Sequence, residues 1–274
     1  MALMRVDRSK ALFVAFLGAG VPAIVLVFAS WPNPEECMPY LSKPSLWLAV
    51  FLRTVVPVAL TLAAAWLARL GYFLVRAALR TRRLHRVERP PARLADALVR
   101  TGLRRVRCIS SSAPVAFCTG ALRPVILVSD GLAERLRDDE LDAVLLHEEQ
   151  HVRDREPLIR AACEAAAGML FFVPIARWWA RRRTEEAELR ADRAAVRQVG
   201  RQPVAAALCT LDAAIHSEAA FAGVATLRVA QLLGEPLPVQ RPAAWLITAS
   251  LVGLPFAVVL FGCLFAMVLR IALP

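Results

Sequence analysis

The sequence has 274 residues, of which 58% are hydrophobic and 21% are charged. This composition excludes a disordered chain, because such chains lack the apolar residues needed to form a core. Lys and Arg number 34 against 23 for Asp and Glu, so the formal net charge is +11. The six cysteines form no Cys-x-x-Cys pair, which favours reduced, buried thiols over disulfides or a thiolate metal site.

Three apolar blocks predict transmembrane helices, since about 20 apolar residues cross the hydrocarbon core of a bilayer. The first, residues 11–29, carries no charge, and its alternative interpretation is a cleaved signal peptide. The second, residues 46–75, has two charged residues, Arg53 and Arg69. Both lie near an end of the block, where a long side chain reaches the interface. The third, residues 242–269, has no charged residue.

The basic residues predict the orientation. Residues 76–107 hold eleven Arg against two acidic residues, which marks this side of the membrane as cytoplasmic. We therefore expect three segments: an N-terminal membrane region (1–80), a cytoplasmic domain (81–241) and a C-terminal transmembrane helix (242–274) whose end is external. Because the arginine run adjoins a membrane span, we expect it to meet anionic lipid headgroups and expect no direct nucleic-acid partner.

The cytoplasmic domain mixes short strands with helices. A helix is predicted at 93–101, and Asp138 is the expected cap of another helix that begins at Asp139. Three runs rich in β-branched residues predict strands at Val106–Ile109, Val115–Cys118 and Val125–Val128. We expect a small antiparallel hairpin or a three-stranded sheet.

A His-Glu-x-x-His sequence occupies positions 147–151 of the predicted helix. The spacing of four places His147 and His151 on one face, one turn apart, where both imidazoles can hold a single Zn²⁺. Glu148 is then placed to take a proton from the attacking water. The apolar residues 144–146 favour a partly buried site over a solvated helix face with two ordinary histidines.

A catalytic zinc site needs a third protein ligand. A later predicted helix offers Glu185, Glu186 and Glu188, and spacing alone does not choose among the three. Glu188 and Asp192 are four residues apart, so one can bind the metal while the other accepts a hydrogen bond from a ligand histidine.

The connection between the two motifs is short. Two bilayer crossings need about 40 residues plus a turn, whereas only residues 152–187 separate the motifs. If the metal binds both motifs, residues 157–180 do not form a full span. We expect the aromatic pairs Phe171–Phe172 and Trp178–Trp179 to rest on the membrane surface.

With both motifs in place, residues 105–196 resemble the BlaR/MecR-type antirepressor membrane metallopeptidases. They are more distantly similar to the HtpX-like and CaaX-processing zinc proteases. The resemblance rests on four stretches, namely 114–120, 123–129, 139–151 and the Glu-x-x-x-Asp sequence at 188–192.

Together with the apolar blocks and the arginine run, the resemblance implies a mostly α-helical bacterial membrane protein with three transmembrane helices. Its small cytoplasmic α+β domain is expected to be zincin-like, of the gluzincin type. The resemblance makes Glu188 the third ligand of one zinc ion per chain and Asp192 the carboxylate that supports a ligand histidine. It also implies that the strand before the motif pairs with an extended substrate through Val115, Ala116, Phe117 and Cys118.

We therefore expect a zinc endopeptidase that cleaves a cytoplasmic or membrane-proximal protein in regulated signalling, with a transcriptional repressor as a candidate substrate. The alternative is a catalytically silent scaffold that keeps the zinc site. A penicillin-binding sensor domain is not expected, because the chain ends at Pro274. The residue that stabilises the oxyanion is unassigned, and for His216 a plain helix-surface role is the favoured interpretation.

Overall fold

The computed structural model describes residues 13–22, 44–82, 90–214 and 222–272. This part of the chain is mostly helical, with one small sheet, as the sequence predicts. Its helices are α1 (Phe13–Pro22), α2 (Pro44–Arg82), α3 (Ala92–Thr101), α4 (Asp130–Arg135), α5 (Asp138–Arg153), α6 (Glu156–Met169), α7 (Pro174–Val199), α8 (Arg201–Ala214), α9 (Ala222–Leu233) and α10 (Ala244–Ala272). Its strands are β1 (Val106–Ile109), β2 (Ala116–Thr119) and β3 (Val125–Ser129).

Two of these helices are long and apolar enough to cross a bilayer, through their segments Ala59–Leu79 in α2 and Ala244–Phe261 in α10. They overlap the second and third apolar blocks of the sequence, residues 46–75 and 242–269. At 1.5 Å per residue the 39 residues of α2 extend for about 58 Å, well beyond a hydrocarbon core of about 30 Å. Of the first predicted span, residues 11–29, the structure describes only α1. A crossing by this first block therefore stays a prediction.

The chain divides into two compact units, and the domain boundaries expected from the sequence stay a prediction. The first unit comprises residues 1–69, 165–179 and 241–274, and the second comprises 70–164 and 180–240.

Aromatic packing organises the described part of the first unit. The ring of Phe16 lies 5.3 Å from Phe171, 5.6 Å from Phe172 and 5.3 Å from Phe256, centroid to centroid. A side chain at Gly253 would collide with the carbonyl oxygen of Phe172, so α10 needs a glycine there to approach the turn between α6 and α7. Phe171 and Phe172 thus contact apolar helices, whereas Trp179 is largely exposed.

The sheet of the second unit has the order β1-β3-β2. β2 and β3 form the antiparallel hairpin that the sequence predicts, and β1 adds to the other side of β3 in parallel. Gly120 begins the hairpin loop with φ +95°, and a Cβ there would lie 2.7 Å from the Arg123 carbonyl oxygen, so the turn requires glycine. Because β3 is central, β2 is an edge strand.

Helix α5 starts one residue earlier than the sequence indicated, and Asp138 is not its cap. The cap residue is Arg137, whose N–H donates to Oε2 of Glu140 over 2.9 Å. The Asp138 carboxylate is instead held by two nitrogens of Arg93 at 3.1 and 2.7 Å. The competing ion pair with α3 explains the difference, since it draws the carboxylate away from the helix N–H groups.

Helix α5 lies at the centre of the second unit because two of its faces are apolar. Leu141, Val144 and Leu145 join the core formed with α3, α4 and the sheet. Ala143 and Leu146 join a second cluster with residues of α7, α8 and α9. The helix is therefore fixed on both sides, and its two histidines are held in a defined direction.

Candidate metal centre

The two histidines of α5 face the same point. His147 Nε2 and His151 Nε2 are 3.2 Å apart, and the rings cross at 78°. Their side chains are only 12% and 10% exposed. Two ring nitrogens at this distance, both aimed into one space, form half of a metal site.

Helix α7 adds a carboxylate to this pair. Glu188 Oε2 lies 3.4 Å from His147 Nε2, and Glu188 Oε1 lies 3.7 Å from His151 Nε2. Ligands at about 2.0–2.2 Å from a tetrahedral ion are roughly 3.3 Å from each other. The three donor groups therefore fit a divalent transition metal in both spacing and chemistry, with nitrogen, nitrogen and oxygen ligands.

The other two glutamates of the same segment are used elsewhere. Arg182 Nη1 lies 3.6 Å from Glu185 Oε2, and Arg182 Nε lies 3.1 Å from Glu186 Oε1. Of the three glutamates that spacing left open, Glu188 is the one that the helix turns toward the histidines.

Asp192, one turn after Glu188, supports the first histidine. The His147 Nδ1–H donates to Asp192 Oδ1 over 2.8 Å, which leaves Nε2 to face the other donors. The Asp192 carboxylate is fully buried and is also gripped by Arg228, through Nε to Oδ2 and Nη2 to Oδ1, each 2.7 Å.

The electrostatics of the three donors differ. Burial lowers the pKa of His147, but its hydrogen bonds to Asp192 and Glu188 outweigh burial and raise it to about 9. Burial and the neighbouring His147 lower the pKa of His151 to about 4. Burial favours the neutral form of Glu188, but His147, His151 and Arg228 lower its pKa to about 2. The metal-free centre therefore carries a proton on His147 and a negative charge on Glu188 at neutral pH.

Glu148 is a buried carboxyl at the same centre. Burial raises its pKa, and the nearby Glu188 adds to the rise, while His147 and a hydrogen bond from the Cys118 N–H oppose it. A raised pKa makes the ionised carboxylate a stronger base than an ordinary glutamate.

The predicted substrate strand lies at the free edge of the sheet. β2 begins at Ala116, and the Val115 carbonyl oxygen accepts from the Ser129 N–H at 2.9 Å. In the antiparallel register, Phe117 then bonds to β3, whereas the backbone N–H and C=O of Ala116 and Cys118 point to the free edge. The edge therefore carries backbone groups that β3 does not pair, and one of them, the Cys118 N–H, bonds to Glu148.

A cavity of about 940 Å³ connects these features. Its lining includes β2, the histidine face of α5 and the last turns of α2. Thr81 of α2 contacts Thr119 of β2 through their hydroxyls at 3.0 Å. The cavity is large enough for several residues of an extended peptide.

Sequence reasoning missed two arginines of the centre. Besides its bonds to Asp192, Arg228 places Nη1 3.6 Å from Glu188 Oε2, and Arg160 places Nη2 3.9 Å from Glu188 Oε1. Neither arginine lies at a fixed spacing from the His-Glu-x-x-His sequence, so spacing could not identify it. The sequence offered only a chemical argument, namely that a buried carboxylate needs a cation nearby. His216 lies outside the described residues.

The site has two histidines one turn apart, a glutamate from a later helix and a supporting aspartate, and the chain has two apolar helices. These features define the class of membrane metallopeptidases with a His₂Glu donor set. The family model of the BlaR1 peptidase M56 matches residues 45–228, and the chain belongs to this family. The match extends from α2 to Arg228 in α9.

Curated relatives share a shorter stretch. The chain is 36% identical over 77 residues to a protease HtpX homologue of Pyrococcus furiosus, 39% over 79 residues to one of Syntrophobacter fumaroxidans and 38% over 90 residues to one of Thermococcus kodakarensis. These matches cover 27%, 28% and 31% of this chain and 27%, 28% and 30% of the relatives. The chain thus spans less than a third of the length of these relatives.

Proposed function

We propose that this chain is a membrane-bound zinc endopeptidase that hydrolyses peptide bonds of a cytoplasmic or membrane-proximal protein. The observation that carries the proposal is the convergence of His147, His151 and Glu188 beside the buried carboxyl of Glu148. Membership of the BlaR1 peptidase family supports it.

The proposal gives each residue of the centre a role. His147, His151 and Glu188 hold one zinc ion per chain, and Asp192 keeps His147 oriented with its Nε2 toward the ion. When bound, zinc supplies a Lewis acid that makes the attacking water more acidic and polarises the scissile carbonyl. Glu148 accepts the proton of the attacking water and passes it to the leaving amine.

The edge strand supplies the binding direction of the substrate. An extended peptide placed along β2 pairs with the outward N–H and C=O of Ala116 and with the C=O of Cys118. This pairing aligns a peptide bond beside Glu148 because the Cys118 N–H already contacts that carboxyl. Such recognition requires a substrate segment without secondary structure of its own.

The biological setting follows from the family and from charge. The resemblance to antirepressor peptidases supports a regulatory protein, such as a transcriptional repressor, as the substrate. Eleven Arg among residues 76–107 support a cytoplasmic catalytic unit and N-terminus in a bacterial cell membrane, with the C-terminus external.

The test uses the full chain in detergent, loaded with Zn²⁺, and β-casein as an unstructured protein probe. Glu148→Gln should retain its zinc while cleavage falls about 10²–10⁴-fold, the usual contribution of a general base. Glu149→Gln is the matched control, because Glu149 contacts Arg153 at 3.2 Å and is not part of the cavity lining. It should keep both zinc and cleavage.

Undiminished cleavage by Glu148→Gln would reject the assigned base. A wild-type chain that binds zinc yet cleaves neither casein nor itself would favour the scaffold alternative. Comparing the proteomes of cells that express the wild-type chain and the Glu148→Gln variant would then identify proteins cleaved only in the former.

A further inference from the structure

The carboxylate of Asp192 is the most completely bonded acid in the described site. It is 0% exposed and accepts three hydrogen bonds, one from His147 Nδ1 at 2.8 Å and two from Arg228 at 2.7 Å each. Removing a partner from a buried charge leaves that charge uncompensated, which is far more costly than losing a surface pair. Asp192 therefore depends on Arg228 to remain a buried carboxylate facing His147.

Arg228 reaches both carboxylates of the Glu-x-x-x-Asp sequence. Its Nε and Nη2 form a fork on Asp192, and its Nη1 lies 3.6 Å from Glu188 Oε2. A planar guanidinium can direct three nitrogens to two groups at once, which a lysine ammonium cannot do with the same geometry. One side chain thus fixes the direction of a ligand carboxylate and of the support of a ligand histidine.

The helix that carries Arg228 is itself attached to the metal-binding helix. Gln231 Nε2 donates to the Leu189 carbonyl oxygen at 3.0 Å, one turn along α9 from Arg228. Leu232 is buried in the cluster formed with α5, α7 and α8. These contacts hold the guanidinium in place from the side of α9.

We propose that Arg228 is a positioning residue of the metal centre, so that α9 is a required part of it together with α5 and α7. Arg228 acts through Asp192 on His147 and directly on the orientation of Glu188. The inference rests on the proposed metal site, and it needs no assumption about the peptidase activity.

The experiment measures the Zn²⁺ affinity of the purified full chain in detergent by competition with a chelator, and the visible spectrum of the Co²⁺-loaded protein. Arg228→Gln should lower zinc affinity about 10–100-fold, the usual loss when a partner of a ligand is removed. It should also change the intensity of the cobalt bands. Arg228→Lys keeps the charge without the fork and should recover only part of the affinity.

Arg190→Gln is the matched control. Arg190 lies on α7 between Glu188 and Asp192, but its Nε contacts Asp154 at 3.3 Å. Its loss should leave zinc affinity and the cobalt spectrum unchanged. A purely architectural role of Arg228 would lower the thermal midpoint of the metal-free protein without changing either metal readout.

A double-mutant cycle tests the route of the effect. Because part of the effect of Arg228 passes through Asp192, Arg228→Gln combined with Asp192→Asn should cost less than the sum of the single losses. Unchanged zinc affinity in a folded Arg228→Gln or Arg228→Lys protein, or additive losses in the cycle, would overturn the inference. A wild-type chain without zinc affinity would overturn the metal site itself, a different outcome.

Discussion

His147 is tied to a carboxylate at each ring nitrogen, and these contacts decide its charge. Asp192 accepts from Nδ1, and Glu188 faces Nε2. The resulting pKa of about 9 lies above the ordinary value of 6.5, so the proton on His147 stabilises the metal-free fold fully below pH 6.5. This contribution is lost as the pH rises through about 9.

The same proton competes with a metal for Nε2. We expect zinc affinity of the purified chain to rise with pH by about tenfold per unit between pH 6 and 9, because one proton leaves His147 for each ion bound. Calorimetry in two buffers of different ionisation enthalpy should count that proton. Affinity that stays constant over this range would contradict the protonated state of His147.

For single residues, the sequence predicts only which side chains share one face of the same helix. The four-residue spacing of His147 and His151 is enough to place both rings on one face of α5. It does not distinguish Glu188 from Glu185 and Glu186, since all three lie within one turn of α7. The difference arises from the rotation of α7 against α5, which depends on packing between helices.

Among the elements, β2 is the strand at the edge of the sheet beside the metal centre. Its edge position follows from β3 pairing on both sides, with β1 in parallel and β2 antiparallel. A one-residue shift of register would exchange the backbone groups that face β3 for those that face the edge. The hairpin loop that begins at Gly120 therefore fixes which backbone groups of β2 face the free edge.

Ala116→Pro tests this edge. Proline removes an N–H that points away from β3, so the sheet should persist, as proline is tolerated at edge positions of this kind. We expect the kcat/KM for casein to fall about tenfold, the equivalent of one lost hydrogen bond of about 1.4 kcal/mol. Zinc content and thermal midpoint should stay unchanged.

Ala116→Ser keeps the N–H and serves as the control with full cleavage. Phe117→Pro removes an N–H that bonds to β3 and should instead destabilise the protein. Equal cleavage by the Ala116→Pro and wild-type proteins would argue against substrate pairing along β2.

For the whole molecule, the proposed orientation can be tested through a native thiol. Cys209 on α8 is exposed and belongs to the same compact unit as the metal centre. In a variant whose only cysteine is Cys209, a membrane-impermeant maleimide should label inside-out vesicles and not right-side-out vesicles. A permeant maleimide should label both, which controls for accessibility of the thiol. Labelling of right-side-out vesicles by the impermeant reagent would place the catalytic unit outside.

By itself the sequence determined the features that local pattern controls. Apolar runs of sufficient length predicted the helices α2 and α10, and the spacing of His147 and His151 predicted one shared helix face. These depend on residues close together in the chain, so helix geometry and bilayer thickness are sufficient to derive them.

Tertiary structure alone decided the rest. Three contacts join residues that are far apart in the chain. They are the parallel pairing of β1 with β3, the approach of Glu188 to the histidines and the hydrogen bonds from Arg228 to Asp192. Such contacts depend on how helices and strands pack, and that packing is set by the summed burial of many side chains. No spacing within a single segment encodes it.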